Sequence, residues 1–276
     1  MKTLIIIAIV IIALVLLYFL MLMPRIVGKP NMKEFQKWLY AHRGLHDNKT
    51  DAPENSMKAF EKAVDAGFGI EMDIQLTKDN VPVVFHDFTL NRICGVDGKV
   101  RNYTYEELQQ FPLCRSKERI PKLEDVLKMV NGRVPLIVEF KMETANMSLC
   151  LLADRLLRKY KGTYCMESFN PLALLWYQTH RKDVVRGQLS DAFLKEGEYT
   201  GVLYFIMQNL LLNFLGRPDF VAYNCKYPNM LSRKICRRLY GNKAAAWTIK
   251  NEEQLRRARK NFDFFIFDSF VPLEKC

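Results

Sequence analysis

Short apolar or β-branched runs alternate with longer amphipathic stretches along the chain from Lys37 onward. Short apolar runs are typical of buried strands, amphipathic stretches are typical of helices, and their alternation is typical of repeated βα units around a parallel sheet. The pattern predicts strands at Trp38 to Ala41, Ile70 to Leu76, Leu136 to Phe140, Tyr164 to Ser168, Val184 to Leu189, Phe220 to Tyr223, Ala244 to Ile249 and Phe264 to Phe267. Eight such units in a chain of 276 residues predict an α/β fold of the TIM-type (β/α)8 barrel class, which occupies about 250 residues.

A ninth run, Val81 to Phe85, also has the composition of a strand. The stretch between it and the preceding strand is far shorter than the crossover of about a dozen residues that a parallel pair needs, so it must return as a hairpin arm. A turn centred just before Asp79 places His86 opposite Glu71, and a turn centred just after Asp79 places it opposite Asp73. In either register the histidine lies beside an acidic residue of the preceding strand.

Two further segments have a predicted form. The stretch Ser56 to Ala66 is predicted to be helical, with Asn55 as its N-cap and Gly67 as its stop. The segment 88–121 is rich in glycine and proline and is predicted to be an insertion over the barrel mouth, with a short helix near Tyr105 to Gln110.

The chain begins with a run of 20 uncharged, predominantly apolar residues from Leu4 to Met23. At about 1.5 Å per residue, a helix of this length spans roughly 30 Å, the thickness of the hydrocarbon core of a bilayer. A cleaved signal peptide has a shorter apolar core of about 7 to 15 residues followed by small residues, so a single transmembrane helix is the better interpretation. We therefore expect a membrane anchor with a juxtamembrane segment at 1–30 and one barrel domain at 31–276.

Charge and cysteine content indicate the compartment of the barrel domain. Only Lys2 precedes the apolar run, whereas four lysine or arginine residues follow it by Lys37, so the positive-inside rule places the domain on the cytoplasmic side of the membrane. The seven cysteines are odd in number and contain no C-x-x-C pair, which agrees with a reducing compartment.

The formal net charge of +11 indicates an anionic partner. The sequence has no basic stripe interleaved with aromatic residues and no zinc finger, so a nucleic acid is not the expected partner. A phosphorylated substrate and a membrane surface remain.

Acidic and basic residues stand in or just after several predicted strands, and barrels of this type carry their reactive groups at the carboxyl ends of strands. They are His42 with Arg43, Glu71 with Asp73, His86 with Asp87, and Glu139 with Lys141. Each pair alone has a structural explanation, as a solvated strand face, a satisfied core histidine or a surface ion pair. Together they form a cluster that is costly unless a cation and an anion occupy it.

The residue types in this cluster indicate its chemistry. The carboxylates Glu71, Asp73 and Glu139 form a hard oxygen site that suits one divalent ion, Mg2+ or Ca2+, better than zinc. Arg43 and Lys141 supply positive charge for a phosphate. We expect two histidines in the cluster to act as acid and base, because an unperturbed pKa of about 6.5 allows proton transfer in both directions at neutral pH. This combination predicts hydrolysis of a phosphodiester.

The chain resembles the glycerophosphodiester phosphodiesterase family from about Trp38 to Pro272. Its matching motifs, in the family's order, are Ala41-His42-Arg43-Gly44, Ala52-Pro53-Glu54-Asn55-Ser56, Ile70-Glu71-Met72-Asp73, Thr77-Lys78-Asp79, His86-Asp87, Glu139-Phe140-Lys141, Ser168-Phe169 and Trp247-Thr248. The resemblance implies a TIM-type barrel that uses a divalent metal to cleave glycerophosphodiesters into glycerol 3-phosphate and an alcohol.

The resemblance also implies roles for individual positions. It makes His42 and His86 the acid and base, and it makes Trp247 a pocket residue on the glycerol side of the substrate. The remaining roles are those of metal ligand for Glu71, Asp73 and Glu139, and of phosphate contact for Arg43 and Lys141. Glu54 and Asn55 are expected to be structural, fixing the first loop and helix.

Two other functions agree with the same residues. The substrate could be a membrane lysophospholipid, which would make the protein a lysophospholipase D, or the domain could be a catalytically silent module that binds phosphorylated headgroups. The apolar stretch Val202 to Leu215 bears on this choice, because its apolar residues point in nearly every direction around a helix axis. Either a neighbouring loop, such as the insertion, or the bilayer is expected to cover it.

Overall fold

The computed structural model describes residues 1–197 and 199–273 and contains a closed barrel of eight parallel strands with one antiparallel hairpin arm. The strands are β1 (Leu39–His42), β2 (Gly69–Leu76), β3 (Pro82–Val84), β4 (Leu136–Phe140), β5 (Tyr164–Ser168), β6 (Val185–Ser190), β7 (Phe220–Asn224), β8 (Lys243–Ile249) and β9 (Phe264–Phe267). The hairpin arm is β3, and pairing of β1 with both β2 and β9 closes the barrel. The predicted TIM-type (β/α)8 fold is therefore confirmed.

Helices cover the outside of the barrel and form the N-terminal segment. They are α1 (Lys2–Leu22), α2 (Lys33–Gln36), α3 (Met57–Asp65), α4 (Asn91–Cys94), α5 (Tyr105–Leu108), α6 (Leu123–Val130), α7 (Ser148–Leu157), α8 (Pro171–His180), α9 (Phe193–Glu196), α10 (Val202–Gln208), α11 (Asn213–Gly216), α12 (Leu231–Arg238) and α13 (Glu252–Ala258). A short 3-10 helix spans Val100–Asn102.

The eight predicted barrel strands each agree with an observed strand to within one residue at either end. Strands of a parallel barrel are buried on both faces, so they form continuous apolar runs that the sequence pattern identifies well. Their side chains divide between the layer under the outer helices and the barrel interior. Met32 and Phe35, from the segment before β1, pack into the cluster of the barrel interior.

The register predicted for the hairpin arm was wrong by one position in each of its two forms. The backbone nitrogen of Phe85 donates to the carbonyl oxygen of Asp73 at 2.9 Å, so Phe85 and not His86 lies opposite Asp73. The loop has three residues, 78–80, and Asn80 has a left-handed backbone with φ +62°. The centre of a three-residue loop lies on its middle residue, whereas both predicted turns were centred between two residues. His86 follows the last paired residue and reaches the site from there.

The N-cap predicted for the first barrel helix was also wrong by one residue. Helix α3 is capped by Ser56, whose hydroxyl oxygen accepts a hydrogen bond from the backbone nitrogen of Ala59 at 3.1 Å. Asn55 instead adopts a left-handed conformation with φ +57°, which asparagine tolerates better than most residues. This conformation directs its side chain to the strand residue Asp73, 2.9 Å away.

The insertion 88–121 contains α4, the 3-10 helix and α5, and it has its own small core. Its apolar residues pack on one another and on Val83 and Phe85 of the hairpin arm. The predicted helix near Tyr105 to Gln110 is present as α5, whose N-terminus carries a capping box between Thr104 and Glu107. The six cysteines in the described part of the chain are free thiols, and Cys276 lies outside it.

Helix α1 is the one helix of the described residues that is long and apolar enough to cross a membrane, with a mean hydropathy of 3.4 and its apolar window unburied. Its C-terminal end touches the barrel, where it packs on α11 and α12 and Tyr18 contacts the core. The Leu22 side chain is fully buried there, and its carbonyl oxygen lies 3.4 Å from Asn213 Nδ2 and 3.5 Å from Cys236 Sγ.

The stretch Val202 to Leu215 forms α10 and α11 and is covered only in part. Helix α11 packs under α8 and the last turn of α1. The core of the insertion includes residues of β3 and, among the described residues, none of α10, whereas the neighbouring helix α9 contacts α10. Val202, Leu203 and Phe205 of α10 are 75%, 60% and 50% exposed.

Candidate active site

A row of carboxylates crosses three neighbouring strands at the barrel mouth. The parallel register pairs Asp73 of β2 with Glu139 of β4, and Glu139 with Glu167 of β5. Glu71 lies two residues before Asp73, so its side chain projects from the same face of the strand. Oxygen atoms of Glu71, Asp73 and Glu139 all lie within 4.8 Å of one another. The three acids predicted to be metal ligands are thus brought together.

These acids are buried, and their pKa values reflect that. Burial raises the pKa of Glu71 well above its ordinary value, and the charges of Asp73, Glu139 and Glu167 raise it further. Burial also raises the pKa of Glu139, against the opposing effect of Lys141. For Asp73 the nearby cations outweigh burial, so its pKa is held below the usual range.

Two cations lie against the carboxylate row. The Arg43 side chain lies 2.7 Å from Glu54 through Nη1 and 3.4 Å from Asp73 through Nε, and its backbone nitrogen donates to Glu71 at 3.1 Å. Lys141 Nζ lies 2.9 Å from Glu139 and 3.7 Å from Asp73. These carboxylates raise the pKa of Lys141 although burial alone would lower it, so its ammonium group stays charged. Both residues predicted to contact phosphate therefore lie in the site.

The carboxylate cluster fits a divalent cation. Asp73 Oδ1 is buried and accepts no hydrogen bond within the described residues, and the same is true of Glu167 Oε2. The ligand types are all carboxylate oxygens, which is the donor set that Mg2+ and Ca2+ prefer. A buried group of acids that repel one another and have unused oxygen lone pairs is relieved when a cation binds between them.

His42 reaches the site from the end of β1, and Asp268, which follows the last strand β9, holds its ring. Its Nδ1 lies 3.1 Å from Asp268 Oδ2, and its Nε2 lies 3.9 Å from Glu71 Oε2. Lys250 Nζ donates to the same Asp268 oxygen at 2.7 Å, and His46 Nε2 lies 3.4 Å from the other oxygen. Burial, reinforced by Arg43, lowers the pKa of His42 to about 4. The Asp268 contact orients the ring so that Nε2 faces the carboxylates.

His86 lines the same pocket from the hairpin arm and is held by its neighbour in the chain. Its Nδ1 lies 2.6 Å from Asp87 Oδ1. Arg92 of the insertion makes paired hydrogen bonds to Asp87 at 2.7 and 2.9 Å and to Glu54 at 2.7 Å, so it ties the hairpin arm to the first loop. The insertion thus supports the site from outside.

The pocket wall also contains residues to which the sequence interpretation gave no role. Besides Trp247, which was predicted, the pocket is lined by Glu167, Phe169, Leu189 and Ile266. Glu167 could have been found as an acid inside an otherwise apolar strand that aligns with Glu139. Asp268 stands just after the last predicted strand, where the sequence left its role open, and its contact with His42 joins two ends of the chain.

Asn55 gives the first testable prediction. Its Nδ2 donates to Asp73 Oδ2 at 2.9 Å, so it orients a predicted metal ligand, and the loss of such a contact to a ligand typically weakens metal affinity by about 10–100-fold. Asn55→Gly removes the amide but tolerates the positive φ of this position. We expect its Mg2+ or Ca2+ affinity, measured by calorimetry, to fall about ten-fold or more. Asn131→Gly, at another left-handed asparagine that caps α6, is the control, and equal affinity in both variants would contradict this role.

Comparison with known proteins agrees with this site. The profile of the glycerophosphoryl diester phosphodiesterase family matches residues 42–268. A glycerophosphodiester phosphodiesterase of Bacillus altitudinis is 40% identical over 114 residues, which cover 39% of this chain and 45% of that protein. Glycerophosphodiester phosphodiesterase 1 of Homo sapiens is 27% identical over 157 residues, which cover 56% of this chain and 44% of that protein. The chain thus spans less than half the length of these curated relatives.

Solved structures are similar over nearly the whole barrel. A glycerophosphodiester phosphodiesterase from Parabacteroides distasonis has a TM-score of 0.65 at 26% identity and covers 85% of this chain and 93% of that chain. A phosphodiesterase from Oleispira antarctica, solved with the product sn-glycerol-3-phosphate, has the same fold, with a TM-score of 0.67 at 21% identity, and covers 83% of this chain and 92% of that chain. Because the family match begins at His42 and ends at Asp268, it contains the whole site, and the chain belongs to the glycerophosphoryl diester phosphodiesterase family.

Proposed function

We propose that this protein hydrolyses glycerophosphodiesters to glycerol 3-phosphate and an alcohol. The observation that carries the proposal is the arrangement at the barrel mouth, where a buried carboxylate cluster lies between two histidines and two cations. Such a set matches the needs of a phosphodiester, which requires charge neutralisation at its oxygens and proton transfer at the attacking and leaving groups.

Glu71, Asp73 and Glu139 hold one divalent ion, Mg2+ or Ca2+, in this proposal. The ion supplies positive charge for the non-bridging phosphate oxygens when it is bound. Arg43 and Lys141 bind the same phosphate group as charged hydrogen-bond donors, which fixes its orientation in the pocket. Trp247 and Phe169 form the apolar wall against which the glycerol moiety packs.

His42 and His86 transfer the protons. One accepts a proton from the nucleophile, and the other donates a proton to the leaving alkoxide, so the alcohol departs uncharged. Asp268 holds His42 through Nδ1, and Asp87 holds His86 in the same way, which leaves the Nε2 atom of each ring for this work. The nucleophile is water or the adjacent glycerol hydroxyl. The second route passes through a cyclic phosphate that water then opens.

A silent headgroup-binding module would not need this full set. Binding a phosphate anion requires cations, whereas three buried carboxylates at the same place repel it unless a metal ion is present. The two oriented histidines have a use in proton transfer and little use in binding alone. Release of choline and glycerol 3-phosphate from glycerophosphocholine by the purified chain tests this proposal, and binding without product formation would favour the silent module.

We further propose that residues 1–30 anchor the protein in a membrane and that the barrel domain, 31–276, lies on the cytoplasmic side. The apolar helix α1 and the basic residues that follow it support this placement. In intact cells, an impermeant thiol reagent is expected to leave the partly exposed Cys94, Cys114 and Cys225 unlabelled until the membrane is opened. Labelling in intact cells would reverse the orientation.

A further inference from the structure

Two histidines and an aspartate form a second group of possible metal ligands, on the side of the His42 ring that faces away from the carboxylate cluster. One ligand atom from each of His42, His46 and Asp268 lies within 4.8 Å of the other two. His42 Nδ1 is 3.1 Å from Asp268 Oδ2, and His46 Nε2 is 3.4 Å from Asp268 Oδ1. The ligand atoms of a tetrahedral ion, bonded at about 2.1 Å, are about 3.4 Å apart. Little movement is therefore needed for this trio to hold one ion.

His46 is the member of the trio whose polar atoms lack partners. Both of its ring nitrogens are buried, and neither makes a hydrogen bond within the part of the chain that the structure describes, although Nε2 lies within ion-pair distance of Asp268. A buried polar atom without a hydrogen bond costs free energy, so such a ring is better satisfied when it binds something.

The trio lies at the wall of a cavity and is not sealed in the core. His46 and Asp268 both line a cavity of about 520 Å³, whose other walls include the exposed residues Asp47 and Lys49. The side chains of His46 and Asp268 are 13% and 9% exposed. An ion from the solvent can therefore reach the trio, and the cavity has room for a water molecule beside it.

The donor atoms indicate which class of ion fits. Two imidazole nitrogens and one carboxylate oxygen suit a borderline transition ion such as Zn2+, which commonly takes three protein ligands and one water. The cluster of Glu71, Asp73 and Glu139 has only carboxylates and suits Mg2+ or Ca2+. The two neighbouring groups thus differ in the ion that they prefer.

One cation opposes the binding of an ion to the trio. Lys250 Nζ donates a hydrogen bond to Asp268 Oδ2 at 2.7 Å. The Lys250 side chain is 48% exposed, so its ammonium group can turn into solvent when another cation takes this oxygen. Lys250 therefore weakens the site without closing it.

We propose that His42, His46 and Asp268 bind Zn2+ and that the bound ion inhibits the enzyme. The inference goes beyond the proposed hydrolysis and uses it only as the activity that is lost. Nδ1 of His42 belongs to the trio, whereas its Nε2 faces Glu71 Oε2 at 3.9 Å. A neutral imidazole with a metal ion on Nδ1 carries its single proton on Nε2. Nε2 then can neither accept a second proton nor lose the first without making the ring an anion, so His42 cannot transfer protons as acid or as base.

The test adds Zn2+ to the full chain in detergent with Mg2+ in excess, which keeps the carboxylate cluster occupied. Calorimetry measures Zn2+ binding, and choline release from glycerophosphocholine measures inhibition. His46→Asn keeps a polar side chain but has no atom at the position of Nε2. We expect the Zn2+ concentration that halves each protein's own activity to rise about ten-fold or more in this variant, because one of three ligands is lost. Lys250→Gln removes the opposing cation and should lower that concentration roughly two- to five-fold.

His180→Ala, at an exposed histidine on α8, is the matched control and should have the parent's Zn2+ affinity. Equal Zn2+ sensitivity of the parent and His46→Asn would overturn the proposal, because Zn2+ would then act elsewhere, as by replacing Mg2+. If His46→Asn does not fold, Lys250→Gln decides, since unchanged or weaker Zn2+ binding there contradicts a site beside this lysine. Calorimetry needs no substrate, so a chain that released no choline would contradict the proposed hydrolysis and still show whether His46 binds Zn2+.

Discussion

Replacing His42 or His86 with alanine is expected to lower kcat for glycerophosphocholine by a factor of about 10² or more and to leave divalent-cation affinity unchanged. Both rings line the pocket, but neither belongs to the cluster of Glu71, Asp73 and Glu139. The loss is therefore one of proton transfer and not of metal binding. Steady-state kinetics and calorimetric titration of the same preparations separate the two effects.

A substrate with a better leaving group shows which histidine is the general acid and which is the general base. A p-nitrophenyl ester of glycerol 3-phosphate needs no proton on its leaving oxygen, so the variant that lacks the general acid should recover most of its activity on it, while the variant that lacks the base should not. His180→Ala, at an exposed ring on α8, is the matched control with unchanged kinetics. Near-normal turnover by His86→Ala on glycerophosphocholine would show that the hairpin histidine takes no part.

Changing Glu71, Asp73 or Glu139 to its amide is expected to weaken Mg2+ or Ca2+ affinity by more than about 100-fold, because even residues that only support ligands contribute about 10–100-fold. Turnover should disappear at ion concentrations that saturate the parent. Glu124→Gln, at an exposed acid paired with Lys128, is the control and should bind the ion as the parent does. Unchanged affinity in all three amide variants would remove the metal from this cluster.

One of these amide substitutions, at Glu71, is expected to raise the stability of the metal-free protein, although it weakens metal binding. Because the pKa of Glu71 is raised in the folded state, this carboxyl binds more protons in the folded protein than in the unfolded chain between pH 4.5 and its folded-state pKa, and its contribution to stability falls as pH rises through that range. Glu71→Gln removes the repelling charge. We expect the metal-free variant to melt about 2 °C or more above the metal-free parent at pH 7. A lower melting temperature would show that the cluster does not strain the fold.

Sequence periodicity was sufficient to predict the barrel and to place most of the site residues together. Buried parallel strands form apolar runs, and the polar residues in or just after these runs meet at one mouth, so Glu71, Asp73, Glu139 and His42 could be placed together before any contact was known. Lys141 follows from the same rule, since it lies two residues after Glu139 and on the same face. These positions depend only on the fold class and on strand ends.

The remaining features depend on contacts that a linear pattern does not contain. The register of the hairpin arm is set by a left-handed residue, Asn80, in a three-residue loop, and composition alone does not choose between loop lengths. Asn55 contacts Asp73 and not the helix end because its own backbone is left-handed. Asp268 contacts His42 because closure of the barrel joins the first and last strands.

The most direct test of the account is the metal dependence of glycerophosphocholine hydrolysis by the purified full chain. After exhaustive chelation, release of choline and glycerol 3-phosphate should stop, and Mg2+ or Ca2+ should restore it, because the three proposed ligands are all carboxylates. Full activity in a preparation shown to be metal-free would contradict a metal-dependent phosphodiesterase at this site.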